Sequence, residues 1–284
     1  FVLFSKSVWV DVLGNKAAPH LAKRGIWVIP DIELVTVYMY FNMKDPIMGG
    51  YTPDRIALRR AIAMAHNDEE DVTLIRNGTA IVAQSPIPPG IVGYDPEFRH
   101  PEPYNPPKAK ALLDMYGFVD RDGDGWRDMP DGSPLVFKFA SAGSQLDRQF
   151  ATLWKKNMDA IGVRMEVIVE KWPELRKMSK EQRLQTWELA WGADYPDAEN
   201  FFQLFYGPNC GSSNDGCFQV KAFDDLYDKA AGCGAGRQVA TLIAERDRIN
   251  REYRIRQQLK RRGLPAVGWR VALSDVLGQA DLQG

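Results

Sequence analysis

The residues of this chain with the most chemistry in them are carboxylates set beside aromatic rings. In Leu189-Ala190-Trp191-Gly192-Ala193-Asp194-Tyr195-Pro196-Asp197 the sequence turns from apolar to acidic, and Asn200-Phe201-Phe202 follow. A carboxylate at the mouth of a sheet between Trp191 and Tyr195 is a seat for a cation, attracted by the charge and by the ring faces. The competing reading makes Asp194 or Asp197 the N-cap of a helix beginning near Ala198. The residues alone leave both open.

Metal chemistry is offered by Asp120-Arg121-Asp122-Gly123-Asp124-Gly125. Aspartates at loop positions one, three and five with glycine at six match a calcium loop, which would add the backbone carbonyl of Trp126 at seven and Asp131 at twelve. Asp131 stands where such loops carry a bidentate glutamate, so Ca2+ is a candidate ligand and no cofactor is required. A polar turn is the alternative. Cys210 and Cys217 flank Gly-Ser-Ser-Asn-Asp-Gly, a spacing that a disulfide can close in an exported protein, whereas two reduced thiols are the other reading. Cys233 is left over.

Catalytic patterns are missing. His20, His66 and His100 fall in different elements, and neither His-x-x-x-His nor Gly-x-Ser-x-Gly occurs. Gly207-Pro208-Asn209-Cys210-Gly211 lacks the lysine of a phosphate loop and reads as a turn. With 36 basic and 37 acidic residues, the chain has no net charge to draw it to nucleic acid or to an anionic membrane; Lys260-Arg261-Arg262 reads as a solvated helix end. No apolar window is long enough to span a membrane. At 284 residues and 45% hydrophobic content, the chain can bury a sizeable core in about two domain-sized units.

The elements that must position these residues follow from periodicity. Trp187, Leu189 and Trp191 alternate with Glu188 and Ala190, a strand with one face buried that ends at Gly192. Residues 35–42 are nearly continuous apolar and β-prone, which predicts a strand covered on both faces. Helices are expected over 17–23, 53–65, 68–77, 108–116, 146–161, 173–180, 222–229 and 239–262, with strands at 26–29, 135–139, 163–169 and 267–273. Eight prolines make 85–107 an extended loop that must pack on something. Helix and strand alternate between 135 and 191, the pattern of a largely parallel sheet whose ligands sit beyond the carboxyl ends of its strands.

Ala-Trp-Gly-Ala-Asp-Tyr-Pro-Asp-x-x-Asn-Phe-Phe resembles the signature of the extracellular solute-binding proteins of ABC importers, the dipeptide and oligopeptide-binding family (family 5). Tyr40-Phe41-Asn42-Met43 is similar to that family's hinge strand, Leu58-Arg59-Arg60-Ala61-Ile62 to the opening of its next helix, and Ile87-Pro88-Pro89-Gly90 and Tyr104-Asn105-Pro106 to its turn and helix start. The resemblance implies an α/β, two-lobed periplasmic-binding-protein-like fold (type II). Residues 1–43 would be part of the first lobe and the hinge strand, 44–264 the second, C-terminal lobe, and 265–284 a truncated return strand. It implies a periplasmic or extracellular location, a peptide or small cationic solute as ligand, and permease subunits of an ABC transporter as partners. Asp194 would take the ligand's α-amino group, with Trp191, Ala193 and Tyr195 around it.

An exported location favours the Cys210–Cys217 bridge. Glu188 stands near the place where some oligopeptide binders carry a basic residue for the peptide carboxylate, which argues against a short peptide with a free carboxylate. The chain begins Phe1-Val2-Leu3-Phe4 without Met or a secretory leader, and the resembled family runs longer at both ends, so it reads as a fragment. Two other classes stay in play. One is a secreted carbohydrate-active or hydrolytic enzyme with an acidic cleft of Asp194 and Asp197; the other is a calcium-stabilised structural module.

Overall fold

β-Branched and aromatic residues make Val35–Phe41 the first strand, β1. Pro53, pre-set for a helical first turn, opens α1 (Pro53–Ala65), which buries Ala57, Leu58, Ala61, Ile62 and Ala65 along one face. α2 is a single turn, Asp68–Glu70, capped by the Asn67 side chain, and leads into a π-helical turn at Asp71–Ile75. Periodicity predicts one helix over 68–77. The chain instead takes a wider turn there, closing Arg76 N–H onto Asp71 O at 2.9 Å.

Asn105 caps α3 (Pro106–Met115), accepting from the Lys108 N–H at 3.0 Å. β2 (Val136–Ser141) is followed by α4 (Gln145–Ala160), whose start is fixed by a capping box between Ser144 and Asp147. β3 (Arg164–Val169), α5 (Trp172–Lys180), β4 (Thr186–Gly192), the single turn α6 (Glu199–Phe202) and α7 (Lys221–Gly232) complete the order. The computed structural model describes residues 32–232, all within the compact unit Phe1–Gly236. The elements expected at 17–23, 26–29, 239–262 and 267–273, together with His20, Cys233 and the basic run at 260–262, lie outside them.

The sheet runs β1-β4-β2-β3. β2 is parallel to both β3 and β4, as helical crossovers require, but β1 is antiparallel to β4, with Val35 opposite Gly192 and Phe41 opposite Thr186. The expected largely parallel sheet is present in β2, β3 and β4, and β1 adds an antiparallel strand at its edge. Alternation of helix and strand sets direction for strands joined by crossovers, and β1 is tied to the others through three helices, a π turn and a long loop. β1 is also not covered on both faces: Val35 and Val37 are exposed at the edge of the described sheet.

Successive strand residues enter different cores. Phe137 and Phe139 join Leu58, Ile62, Leu113, Trp154 and Met158 from α1, α3 and α4, whereas Tyr40, Ala140 and Trp187 pack on Leu175 of α5. Each large side chain buried this way contributes roughly 2 kcal/mol or more. The disulfide loop closes the far end of β1, where Met43 N–H donates to Gly216 O at 2.8 Å; a Cβ at Gly216 would sit 2.8 Å from Phe41 O, so only glycine fits.

Candidate functional site

β4 carries the signature to the end of the sheet and β1 keeps pairing it one residue further, Ala193 N–H donating to Leu34 O at 2.9 Å. The proline-rich loop then packs against the turn. Val92 N–H donates to Pro196 O at 3.2 Å and Val92 O accepts from Ala198 N–H at 3.1 Å, a short parallel bridge beyond the strand. Gly93 makes this approach possible, with φ +91° and a position where a Cβ would lie 3.1 Å from that of Ala198. Ile87 and Ile91 bury themselves against Phe201, with Trp191, Ala193 and Phe202 at the margin.

Asn200 organises the turn. Fully buried on α6, it accepts at Oδ1 from Trp191 Nε1–H at 3.0 Å and from the Asp194 backbone N–H at 3.1 Å. Its Nδ2 donates to Asp194 Oδ2 at 3.1 Å. Asp194 is exposed, and its Oδ1 has no hydrogen-bond partner among the described residues. A carboxylate held by one oxygen and open at the other suits a charge-assisted bond from a ligand ammonium.

Ala198 is the N-cap of α6 and no side chain caps it; Asp197 closes a tight turn just ahead of the helix, its Oδ1 accepting from Glu199 N–H at 2.9 Å. Neither Asp194 nor Asp197 is the helix cap, and the turn gives Asp197 a structural use in place of the acid–base partnership that an acidic cleft would need. Tyr195 is exposed, and its hydroxyl donates to Glu199, which also accepts from Tyr227 of α7. Partial burial, then the bond to Glu199, push the Tyr195 phenol up to about 12. The sequence reading passes over Asn200, Glu199 and Tyr227. Asn200 has a signal, since it lies in the signature near the start of α6, but its inward orientation depends on where α6 starts.

Residues 6–213 match the family model of the bacterial extracellular solute-binding proteins, family 5, middle region. The chain belongs to this family. It is 31% identical over 250 residues to the di/tripeptide-binding protein 2 of Pseudomonas aeruginosa, covering 85% of this chain and 42% of that protein. Against heme-binding protein A of Haemophilus influenzae it is 29% identical over 181 residues, 63% of this chain and 31% of the relative. The structure of the oligopeptide-binding protein AppA from Bacillus subtilis, in complex with a nonapeptide, superposes with a TM-score of 0.66 at 20% identity, covering 85% of this chain and 49% of that one. The chain thus spans less than half the length of each. The fold is α/β of the type II periplasmic-binding-protein kind, of which the described residues form a part.

Elsewhere in this family 5 chain, the aspartate loop comes together only in part. Carboxylate oxygens of Asp120, Asp122 and Asp124 lie within 4.8 Å of one another. Asp131 is not among them: its Oδ1 accepts from Ser133 N–H at 2.9 Å and from the Ser133 hydroxyl at 2.6 Å, held in its own tight turn between Asp128 and Pro134. The expected twelfth-position ligand is therefore absent from the group. Asp120 accepts from the N–H groups of Gly123 and Gly125, Asp124 from that of Trp126, and Arg164 pairs with Asp124 at 2.5 Å. The loop is satisfied by its own amides and one guanidinium.

Cys210 and Cys217 are joined in a disulfide with Cα atoms 4.4 Å apart. Among the described residues no helix is long and apolar enough to cross a membrane.

Proposed function

We propose that this chain is part of the substrate-binding component of an ABC importer for peptides or related cationic solutes, working outside the cytoplasm and handing its ligand to the permease subunits. The observation that carries this reading is the exposed Asp194 carboxylate, fixed at Oδ2 by the buried Asn200 and open at Oδ1, beyond the end of β4. Its role is to hold the ligand's α-amino group, with Trp191, Ala193 and Tyr195 shaping the turn around it. Lobe closure then removes water and strengthens that bond. Family membership and the likeness to a di/tripeptide-binding protein support the ligand class. No chemical step is required.

Titration calorimetry on the full-length protein with paired peptides, free and acetylated at the N-terminus, tests the reading. Acetylation removes the ammonium and should weaken binding at least about tenfold. Equal affinities would take Asp194 out of the site, and turnover of any peptide or glycan would replace the binding reading with an enzymatic one.

A further inference from the structure

A cavity of about 170 Å³ opens at the carboxyl end of β2, between the starts of α4 and α5, with Ser141, Asp147, Phe150, Trp172, Trp187 and Glu188 in its wall. Glu188 is one of its acidic wall residues. Oε1 of that residue accepts from Arg76 Nη2 at 3.1 Å, and Arg76 Nε donates in turn to both oxygens of Asp71 at 3.0 and 3.1 Å. The π turn after α2 is what brings Arg76 to these two acids. Two carboxylates share one guanidinium, so the group carries an excess negative charge. Glu188 Oε2 has no hydrogen-bond partner among the described residues. Burial pushes the Glu188 carboxyl above its ordinary range, with Arg76 opposing.

Nothing on the cavity wall favours an anion. Among the described residues no Lys, Arg or His lines it. The start of α4 is already served by Asp147, whose Oδ2 accepts from Ser144 N–H at 2.9 Å, so that helix end needs no anionic ligand. Aromatic faces complete the picture. Trp172 is 58% exposed despite its size, and it and Trp187 stand 6.4 Å apart. Their rings already accept one guanidinium, that of Arg176, at 5.8 and 6.0 Å. Arg176 is itself paired with Asp215 at 3.3 Å and does not answer Glu188.

We propose that this cavity binds one cationic group of the ligand, a guanidinium or an ammonium, on Glu188 Oε2 between Trp172 and Trp187, and so selects ligands that carry such a group. The inference rests on the solute-binding reading and adds a second point of recognition to it. Glu188 and Asp194 are six residues apart along an extended chain, about 20 Å, so a ligand that engages both is longer than a dipeptide.

The test uses the full-length protein and a positional series of tetra- to hexapeptides in which one residue is Arg or citrulline, which keeps the shape and donors and loses the charge. At one position Arg should bind at least about tenfold tighter than citrulline. Glu188→Gln should reduce that ratio to below about threefold while leaving the citrulline peptide unchanged, since Arg76 keeps both Asp71 and an amide oxygen. Trp172→Ala, at a mostly exposed position, should weaken the Arg peptide about three- to tenfold. Agmatine serves as a probe that needs no peptide. Agmatine binding lost in Glu188→Gln supports the cavity even if no peptide binds, in which case only the peptide reading fails. Equal affinity for Arg and citrulline at every position, or an absence of both peptide and agmatine binding, overturns the proposal.

Discussion

Asn200 holds Asp194 at two points: its Nδ2 donates to Asp194 Oδ2 and its Oδ1 accepts from the Asp194 backbone N–H, both at 3.1 Å. Aligning a carboxylate from a fully buried amide fixes its direction before any ligand arrives, which lowers the ordering cost of binding.

Asp194→Ala and Asn200→Ala should therefore separate. Loss of the charge leaves a ligand ammonium without its partner and costs on the order of 2 to 5 kcal/mol, or roughly thirty-fold to several thousand-fold in affinity. Because Asp194→Ala leaves only the Asn200 Nδ2 donor without its acceptor, stability of the ligand-free protein should fall by about 1 kcal/mol. Asn200→Ala strands the Trp191 indole N–H and the Asp194 amide and should cost about 2 kcal/mol of stability as well as affinity. Urea unfolding beside calorimetry reads both. An Asp194→Ala variant that binds as tightly as the parent would remove it from the site.

Acid should weaken the fold through His66. Its ring is buried and stacked on Trp154, centroids 3.9 Å apart, and burial, with a smaller contribution from Arg76, holds the imidazole down at about 4 from 6.5. The unfolded chain takes up the proton first. Stability is thus complete above about pH 6.5 and is lost as pH falls toward 4, by on the order of 3 kcal/mol at most. The other groups facing the ring are Asn157, 3.4 Å from Nδ1, and Asp68, 3.7 Å from Nε2. Asp68, its carboxyl raised to about 6 by burial, works in the opposite direction, but its side chain is 58% exposed and solvent screens it. Denaturant unfolding at pH 7, 5.5 and 4 checks this, with His66→Phe as the control. The same slope in that variant would place the acid sensitivity elsewhere.

Mass mapping without reduction should recover the Cys210 and Cys217 peptides joined. Breaking the bridge should cost about 2 kcal/mol, the value for so short a loop. Ligand affinity should stay within about twofold, because Asp215 still ties the loop to α5 through Ser179 at 2.7 Å and Lys180 at 3.0 Å. Two freely alkylated thiols in protein made in an oxidising compartment would end the disulfide assignment.

The aspartate loop should keep its shape without metal, since its amides and Arg164 already satisfy the three carboxylates. Trp126 reports on it directly, with the Lys155 and Arg164 cations 5.7 and 5.8 Å from its ring. Millimolar calcium or a chelator is expected to move Tm by less than about 2 °C and to leave the indole emission unaltered. A larger shift in both, greater still in Arg164→Ala, would assign the loop to calcium.

Helix faces were legible wherever one local period repeats. Leu58, Ala61, Ile62 and Ala65 on α1, and Phe150, Leu153, Trp154, Asn157 and Met158 on α4, are buried at the three- and four-residue spacing that their sequences display. Proline marked the start of α1 for an equally local reason, since its ring pre-sets its own backbone for a first helical turn. The π turn was not legible, because Asp71 and Arg76 adopt it in partnership with Glu188, 112 residues further on.

Sequence by itself determined that helices and strands alternate after residue 135, that β4 ends at Gly192, and that an acid follows it beside aromatic rings. These properties depend on neighbours within one turn or one pleat. Tertiary structure alone decided that β1 runs antiparallel to β4, that Asp131 turns to Ser133 and stays out of the group of the other aspartates, that neither Asp194 nor Asp197 caps α6, and that Glu188 and Trp172 line one cavity. Each of these depends on where a side chain or strand comes to rest. That is set by the packing of segments far apart in the chain, and no local period records it.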